Sequence, residues 1–302
     1  MALEGRVLLE AIVEETAKEL YVRALKRLPP DVKQALEKAF QLERNATGKK
    51  ILETILLNIK VAEENDSMVC QDTGTPTYMV KLGTRMPIDG AQVIKAINEG
   101  CKRATLDYSL RPNIVHPITR VNTYTNVGKG VPIICIDSIP RKDYLEIMMI
   151  PKGSGSENMS FIRMLIPAEG LEGVREFIIS SVVKAGGNPC PPTVVSVGIG
   201  GSFDLCARLA KEAMVRPIGS HSPDPAVAKL EDELLRAINK TGIGPMGLGG
   251  STTALAVHIE VAHTHITQLP VAVSMQCWAA RRAAAKIFSE GRVDYSWSFE
   301  EK

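Results

Sequence analysis

The sequence predicts an α/β protein, with a helical N-terminal portion (residues 1–66) packed on a mixed α/β body (residues 67–302) as one domain. Three observations predict it. Apolar residues recur at helical spacing through the first third of the chain. Beyond residue 67, short runs rich in β-branched residues alternate with amphipathic stretches. No low-complexity linker or internal repeat divides the two regions.

In the first third, Leu9, Ile12, Val13, Ala17, Leu20, Tyr21, Ala24 and Leu28 form a helical stripe that Pro29-Pro30 stops. A second helix starts at Asp31 and buries Val32, Ala35, Leu36, Ala39 and Phe40. A third starts near Thr47 and carries Ile51, Leu52, Ile55, Leu56, Ile59 and Ala62. In the body, strands are expected around Thr77–Val80, Val131–Ile136, Tyr144–Ile150, Thr193–Gly198, Ala254–Ile259 and Val271–Met275. Helices are expected over Ala91–Thr105, Leu171–Lys184, Ser202–Met214 and from Pro225 to about Lys240. Gly186-Gly187 ends the second of these, and Asp224 caps the last. An Ala/Arg-rich helix is expected from Ala279.

The 36 basic and 34 acidic residues leave a net charge of +2, so no basic excess argues for nucleic acid. No basic-then-apolar leader opens the chain, and no apolar run approaches the ~20 residues of a spanning helix. The six cysteines are dispersed, which suits a reducing cytoplasm.

The cysteines divide by setting. Cys101 shares a helical face with Ile94, Ile97 and Ala104, Cys135 sits in the apolar run Pro132–Ile136, and Cys206 lies beside Leu205 and Leu209. All three read as packing residues. Cys70, Cys190 and Cys277 stand at element edges beside polar or rigid neighbours, with prolines fixing the backbone on both sides of Cys190. No CxxC spacing announces a metal site, so spacing alone does not join them. Gly198-Ile199-Gly200-Gly201-Ser202 follows a strand and opens a helix, but Phe203 stands where a dinucleotide fingerprint needs its third glycine. Gly153, Ser154 and Gly155 allow close backbone approach to an anion, with Asn158 to orient it. His263 and His265 point the same way on an extended segment.

Six motifs occur in order: Val69-Cys70-Gln71-Asp72-Thr73-Gly74-Thr75; Lys152-Gly153-Ser154-Gly155-Ser156-Glu157-Asn158; Asn188-Pro189-Cys190-Pro191-Pro192; the glycine run Gly242–Gly250; His263-Thr264-His265; and Gln276-Cys277-Trp278-Ala279-Ala280-Arg281-Arg282. Together they resemble the iron–sulfur-dependent hydro-lyases of the class I fumarase and L-tartrate dehydratase family, from about Ile51 to Arg282. The resemblance implies that Cys70, Cys190 and Cys277 hold a [4Fe-4S] cluster. Three thiolates for four irons leave one iron open as a Lewis acid. It implies that Gln71 and Asp72 face that iron and the substrate, with Asp72 handling a proton. It selects His265 as the substrate-contacting histidine and Arg111 as the grip on a substrate carboxylate, for which a guanidinium fork suits better than lysine.

The function so implied is reversible hydration of fumarate to (S)-malate, a step of the tricarboxylic acid cycle. Lys152–Asn158 favours fumarase, whereas Trp278 stands where many fumarases have histidine. L-Tartrate dehydratase and mesaconate hydratase are the alternatives in the family, and a non-catalytic iron–sulfur sensor or assembly protein is the alternative outside it. Single-chain members continue past the region resembling Arg282 into a further domain. The expectation is therefore an alpha subunit that works with a separate beta subunit, as an α2β2 tetramer. Tyr295, Trp297 and Phe299 alternate in the tail as a docking edge would.

Overall fold

The computed structural model describes residues 2–299, and the chain forms two compact units that interleave in sequence. Unit 1 comprises residues 1–29, 61–153 and 281–302; unit 2 comprises residues 30–60 and 154–280. The three N-terminal helices are thus shared out: α1 (Ala2–Lys26) belongs to unit 1, whereas α2 (Pro30–Leu42) and most of α3 (Ala46–Glu64) belong to unit 2. Among the described residues no helix is long and apolar enough to cross a membrane.

Unit 1 is a five-stranded sheet in the order β2-β1-β3-β8-β9, built from β1 (Thr75–Gly83), β2 (Ile133–Ile139), β3 (Tyr144–Lys152), β8 (Ala283–Phe288) and β9 (Val293–Ser296). Only β1 and β2 run parallel; the other pairs are antiparallel. Helix α4 (Gly90–Asp107) starts at a capping box between Asp89 and Gln92. It packs against α1 where Gly100 leaves room, since a Cβ there would lie 2.3 Å from the Glu14 carbonyl oxygen. Tyr78, Ile97, Cys101, Leu145, Ile147 and Ile287 lie in the core beneath these helices. The Tyr78 hydroxyl is buried with the rest and donates to the Ala17 carbonyl at 3.0 Å.

The helix expected from Ala279 does not form. Residues 279–282 are irregular and Ala283, Ala284 and Ala285 begin β8, each 1% exposed or less and paired with Met149, Met148 and Ile147. Alanine's helical preference is worth only tenths of a kcal/mol per residue. A central strand position that admits only small side chains outweighs it. The tail also differs from a free docking edge. Val293–Ser296 pairs with β8, the Arg23 guanidinium lies 4.5 Å from the Trp297 ring centroid, and the Lys81 ammonium lies 4.2 Å from that of Phe299. These cation–π contacts hold the aromatics on their own unit.

Unit 2 is a four-stranded sheet in the order β4-β7-β5-β6, from β4 (Phe161–Leu165), β5 (Thr193–Ile199), β6 (Ala254–Val261) and β7 (Leu269–Gln276). Helices α6 (Gly170–Ala185) and α8 (Pro225–Asn239) cover one face, burying Val182, Leu230, Leu234 and Ile238 against Val195, Val197, Val257 and Val273. Helix α7 (Phe203–Ala213) covers the other through Cys206 and Ala210 on Ala272. It approaches β5 so closely that a Cβ at Gly198 would lie 2.1 Å from the Cys206 carbonyl oxygen. Strands β5 and β6 are parallel, while β7 runs antiparallel to both β5 and β4.

Candidate active site

In unit 1 the turn before β1 is fixed from several sides. Val69 is buried and its N–H donates to the Leu25 carbonyl at 3.0 Å, which pins the chain to α1 just before Cys70. Cys70 is half-buried, with Sγ 3.5 Å from Gln71 Oε1, and Gln71 is exposed. Asp72 Oδ1 accepts from the Gly74 N–H at 2.8 Å and from Asn113 Nδ2 at 3.1 Å. Thr73 is fully buried; its hydroxyl donates to the Arg111 carbonyl at 2.6 Å, and its own carbonyl accepts from the Tyr21 hydroxyl at 3.1 Å. Burial pushes the Tyr21 phenol well up, so it stays a neutral donor.

Gly74 has no alternative. Its φ is +72°, and a Cβ would lie 2.5 Å from the Pro151 carbonyl carbon and 2.8 Å from the Lys152 nitrogen. The turn therefore lies directly on the end of β3, with Thr75 paired to Lys152, and Gly153 follows at once. Arg111 is exposed, but its backbone is held by Thr73 and by Asn126, whose Nδ2 donates to the Arg111 carbonyl at 3.1 Å. Asn126 is fully buried and its Oδ1 accepts from the Asn113 N–H at 2.7 Å. Unit 1 thus gathers Cys70, Gln71, Asp72, Arg111 and Gly153.

It also gathers two residues the sequence reading passed over. Asn113 bridges Asp72 and Thr73, its Nδ2 lying 2.7 Å from the Thr73 hydroxyl oxygen. Arg281 is 2% exposed, donates from Nη2 to the Pro151 carbonyl at 3.4 Å, and has no hydrogen-bond partner for Nη1 among the described residues. A buried guanidinium with an open donor is costly unless an anion offsets it.

In unit 2, Cys190 and Cys277 come together. The Trp278 N–H donates to the Cys190 carbonyl at 3.0 Å, so the residue following Cys277 is bonded to Cys190 itself. Cys190 has φ +56°, a left-handed conformation in a non-glycine residue, held between prolines. The glycine run packs against the same turn: the Met246 N–H donates to the Pro191 carbonyl at 2.7 Å, and a Cβ at Gly247 would lie 2.5 Å from Gly187 Cα. Ser154–Glu157 form a single helical turn, α5, with Ser154, Gly155 and Asn158 exposed; a Cβ at Gly155 would lie 3.3 Å from the Asn188 carbonyl oxygen.

His265 lies apart from these contacts, in the exposed loop between β6 and β7, where Nδ1 is 2.9 Å from the Thr267 hydroxyl and 3.2 Å from the Thr267 nitrogen. That loop closes on the glycine turn after β5. The Gly201 N–H donates to the His263 carbonyl at 3.2 Å, and a Cβ at Gly200 would lie 2.0 Å from the Ala262 carbonyl oxygen. Close backbone approach therefore accounts for Gly200 without a phosphate.

Burial divides the thiols two against four, not three against three. Cys101 and Cys206 are buried; burial holds the first far above the ordinary thiol range and pushes the second up to about 11. Cys135 is not enclosed as expected but half-buried, because β2 is an edge strand. Cys70, Cys190 and Cys277 carry no disulfide and are half-buried. Soft thiols at element ends, two of them on hydrogen-bonded segments, fit an iron–sulfur group in donor chemistry. Among the described residues no three His, Cys, Asp or Glu side chains are arranged for a single metal ion.

Comparison with known proteins adds the family. The model of the fumarate hydratase (fumerase) family matches residues 14–286. A putative L(+)-tartrate dehydratase subunit alpha of Methanocaldococcus jannaschii is 47% identical over 285 residues, covering 93% of this chain and 99% of the relative. The L(+)-tartrate dehydratase subunit alpha of Escherichia coli K12 is 38% identical over 264 residues, 87% of each chain.

Proposed function

The chain belongs to the fumarate hydratase (fumerase) family, and from that premise we propose that it is the alpha subunit of an iron–sulfur hydro-lyase. It adds water to, or removes it from, a small dicarboxylate together with a separate beta subunit. The carrying observation is the gathering in unit 1 of Asp72, Asn113, the backbone of Arg111 and the buried Arg281 around the turn that begins at Cys70.

The proposed ligands of the [4Fe-4S] cluster are Cys70, Cys190 and Cys277. When bound, a cluster held by three thiolates supplies a Lewis-acidic iron for the substrate hydroxyl. The remaining work falls to this chain's own groups. The Arg111 fork takes a substrate carboxylate. Gln71 and the backbone of Gly153, Ser154 and Gly155 line the bound acid, with Asn158 orienting it. Asp72, oriented by Asn113 and the Gly74 N–H, moves the proton at the hydroxyl oxygen, and His265 contacts the substrate.

Two substrates compete. The Lys152–Asn158 sequence favours the fumarate/(S)-malate pair; the relatives named L(+)-tartrate dehydratase support L(+)-tartrate at least as strongly. Malate and L(+)-tartrate are both 2-hydroxy dicarboxylates, and the same residues would serve either. An anaerobic panel of L(+)-tartrate, malate, fumarate and mesaconate on the αβ complex separates them. The substrate is the one with the highest kcat/KM. No turnover on any of them, from a preparation with full iron and sulfide content, would refute the hydro-lyase reading in favour of an iron–sulfur sensor or assembly protein.

A further inference from the structure

Between Arg111 and β2 the chain makes a long excursion without regular helix or strand, a kind of segment that is usually functional when it is ordered. This one is tied from within. The Val115–Asn122 bridge closes its neck. At the tip, His116 Nδ1 accepts from the N–H groups of Ile118 at 3.3 Å and Thr119 at 3.1 Å, and the His116 N–H donates to the Val121 carbonyl at 2.8 Å. Asn122 Nδ2 donates to the Pro112 carbonyl at 2.9 Å, and its Oδ1 accepts from the Tyr124 N–H at 2.7 Å. The polar side chains are thus spent on shaping the arm, while apolar ones face outward. Ile118 is 85% exposed, Val121 66% and Tyr124 70%.

Single exposed apolar residues are ordinary. Three within seven residues, on an arm whose backbone is hydrogen-bonded from within, are a presented surface. Apolar side chains carried on a backbone shaped before association leave little backbone freedom to lose on docking, which is the property of an anchor. The segment from Arg111 to Gly130 also contains His116, Arg120 and Lys129 but no acidic residue. Its complement is an apolar socket edged with carboxylates.

We propose that this arm is the docking element for the beta subunit. The proposal rests on the two-subunit reading above. The occupant follows from where the arm is rooted: the backbone that leaves the site at Arg111 returns through Asn126, which holds the Arg111 carbonyl and the Asn113 N–H. A chain seated on the arm would be linked to the Asp72 turn through Asn122 on the Pro112 carbonyl, Asn126 on the Arg111 carbonyl and Asn113 on Asp72 itself. The association therefore both joins the subunits and presents the partner's surface to the substrate.

The test is co-expression of this chain with the L(+)-tartrate dehydratase-type beta subunit of the same organism, with complex formation read by size-exclusion chromatography and affinity by titration of the purified subunits. Ile118→Asp with Val121→Asp, and separately Tyr124→Ser, should weaken association at least tenfold while leaving circular dichroism and anaerobic cluster loading unchanged. Leu57→Asp, on an exposed face of α3, should leave association intact. Wild-type affinity in the arm variants overturns the proposal while the two-subunit reading stands. Loss of alpha–alpha association with alpha–beta pairing retained assigns the arm to a second copy of this chain and also overturns it. A wild-type chain that never pairs with the beta subunit overturns the two-subunit reading itself.

Discussion

Asp72 is oriented by donors rather than by bulk. Two N–H groups converge on Oδ1, one from Gly74 and one from Asn113, and Asn113 is in turn fixed by Asn126. Removing the Asn113 donor takes away a hydrogen bond to a charged group, worth about 1.5–3 kcal/mol. Asn113→Ala should therefore lower kcat roughly ten- to a hundredfold with a smaller change in KM, and should be much less than additive with Asp72→Asn. Additive losses would mean that Asn113 acts on something other than Asp72. Arg111→Lys replaces a fork by a point charge and should raise KM, at a loss of about 1–3 kcal/mol of substrate binding; an unchanged KM removes Arg111 from the site. Among the thiols, Ser at Cys70, Cys190 or Cys277 should abolish the broad visible absorption of the reconstituted cluster, whereas Ser at Cys101, Cys135 or Cys206 should preserve it. Normal iron content in Cys190→Ser would refute the ligand assignment. At this scale the placing of Cys70, Cys190 and Cys277 between regular elements was legible from their neighbours, whereas the half-burial of Cys135 was not. Asn113 and Arg281 were not legible, because their significance lies in a bond to Asp72 and in an open donor at 2% exposure, and neither burial nor partner is written locally.

Elements with a clear period were readable. Helices α4, α6, α7 and α8 and strands β5, β6 and β7 fall within a few residues of their expected bounds. What failed were elements defined by their neighbours. The alanines of β8 carry a helical preference, and only the space between β3 and β9 makes them a strand. Short β4 is extended because it completes a ladder with β7. Buried polar bonds that join elements are equally silent in sequence. Glu231 on α8 is 2% exposed; it accepts from Arg216 Nη1 at 2.7 Å, from the Ile259 N–H on β6 at 2.8 Å and from the Ser222 N–H at 3.0 Å. Its carboxylate caps the free edge of β6 and satisfies three donors at once. Glu231→Ala takes the shortest ion pair from a largely buried guanidinium, leaves it only the Ile259 carbonyl and Glu260 at 3.3 and 3.5 Å, and strands two backbone donors, so it should cost about 3 kcal/mol of unfolding free energy. Chemical denaturation of the whole chain measures this, and a loss below about 1 kcal/mol would show that the network is solvated in solution.

For the whole molecule, the order of motifs along the chain hides their grouping. The chain passes between units at residues 29/30, 60/61, 153/154 and 280/281. The Lys152–Asn158 motif is consequently split between units, and so is the stretch from Cys277 to Arg281. Linear spacing could not foretell that Cys190 would meet Trp278, or that Gly74 would lie on Pro151. The family motifs named the participants, whereas their grouping depended on the two sheets. Catalytic completeness is a separate matter. Relatives that this chain covers over 87–99% of their length are named as alpha subunits, and the proposed site on this chain has one exposed arginine, Arg111, for a substrate with two carboxylates. The buried Arg281 and Lys152, each 2% exposed, are not open to solvent. A second cationic grip from the beta subunit would complete recognition of the dicarboxylate and exclude water from it. Reconstituted anaerobically without a partner, the chain should take up iron and sulfide and show the visible absorption of a cluster, yet turn over L(+)-tartrate or malate at less than about a hundredth of the αβ rate, the loss expected when a charged anchor worth roughly 3 kcal/mol is missing. Adding the beta subunit should restore the rate without altering the absorption. Full turnover by the isolated chain would show that its own residues suffice, and the two-subunit reading would then be wrong.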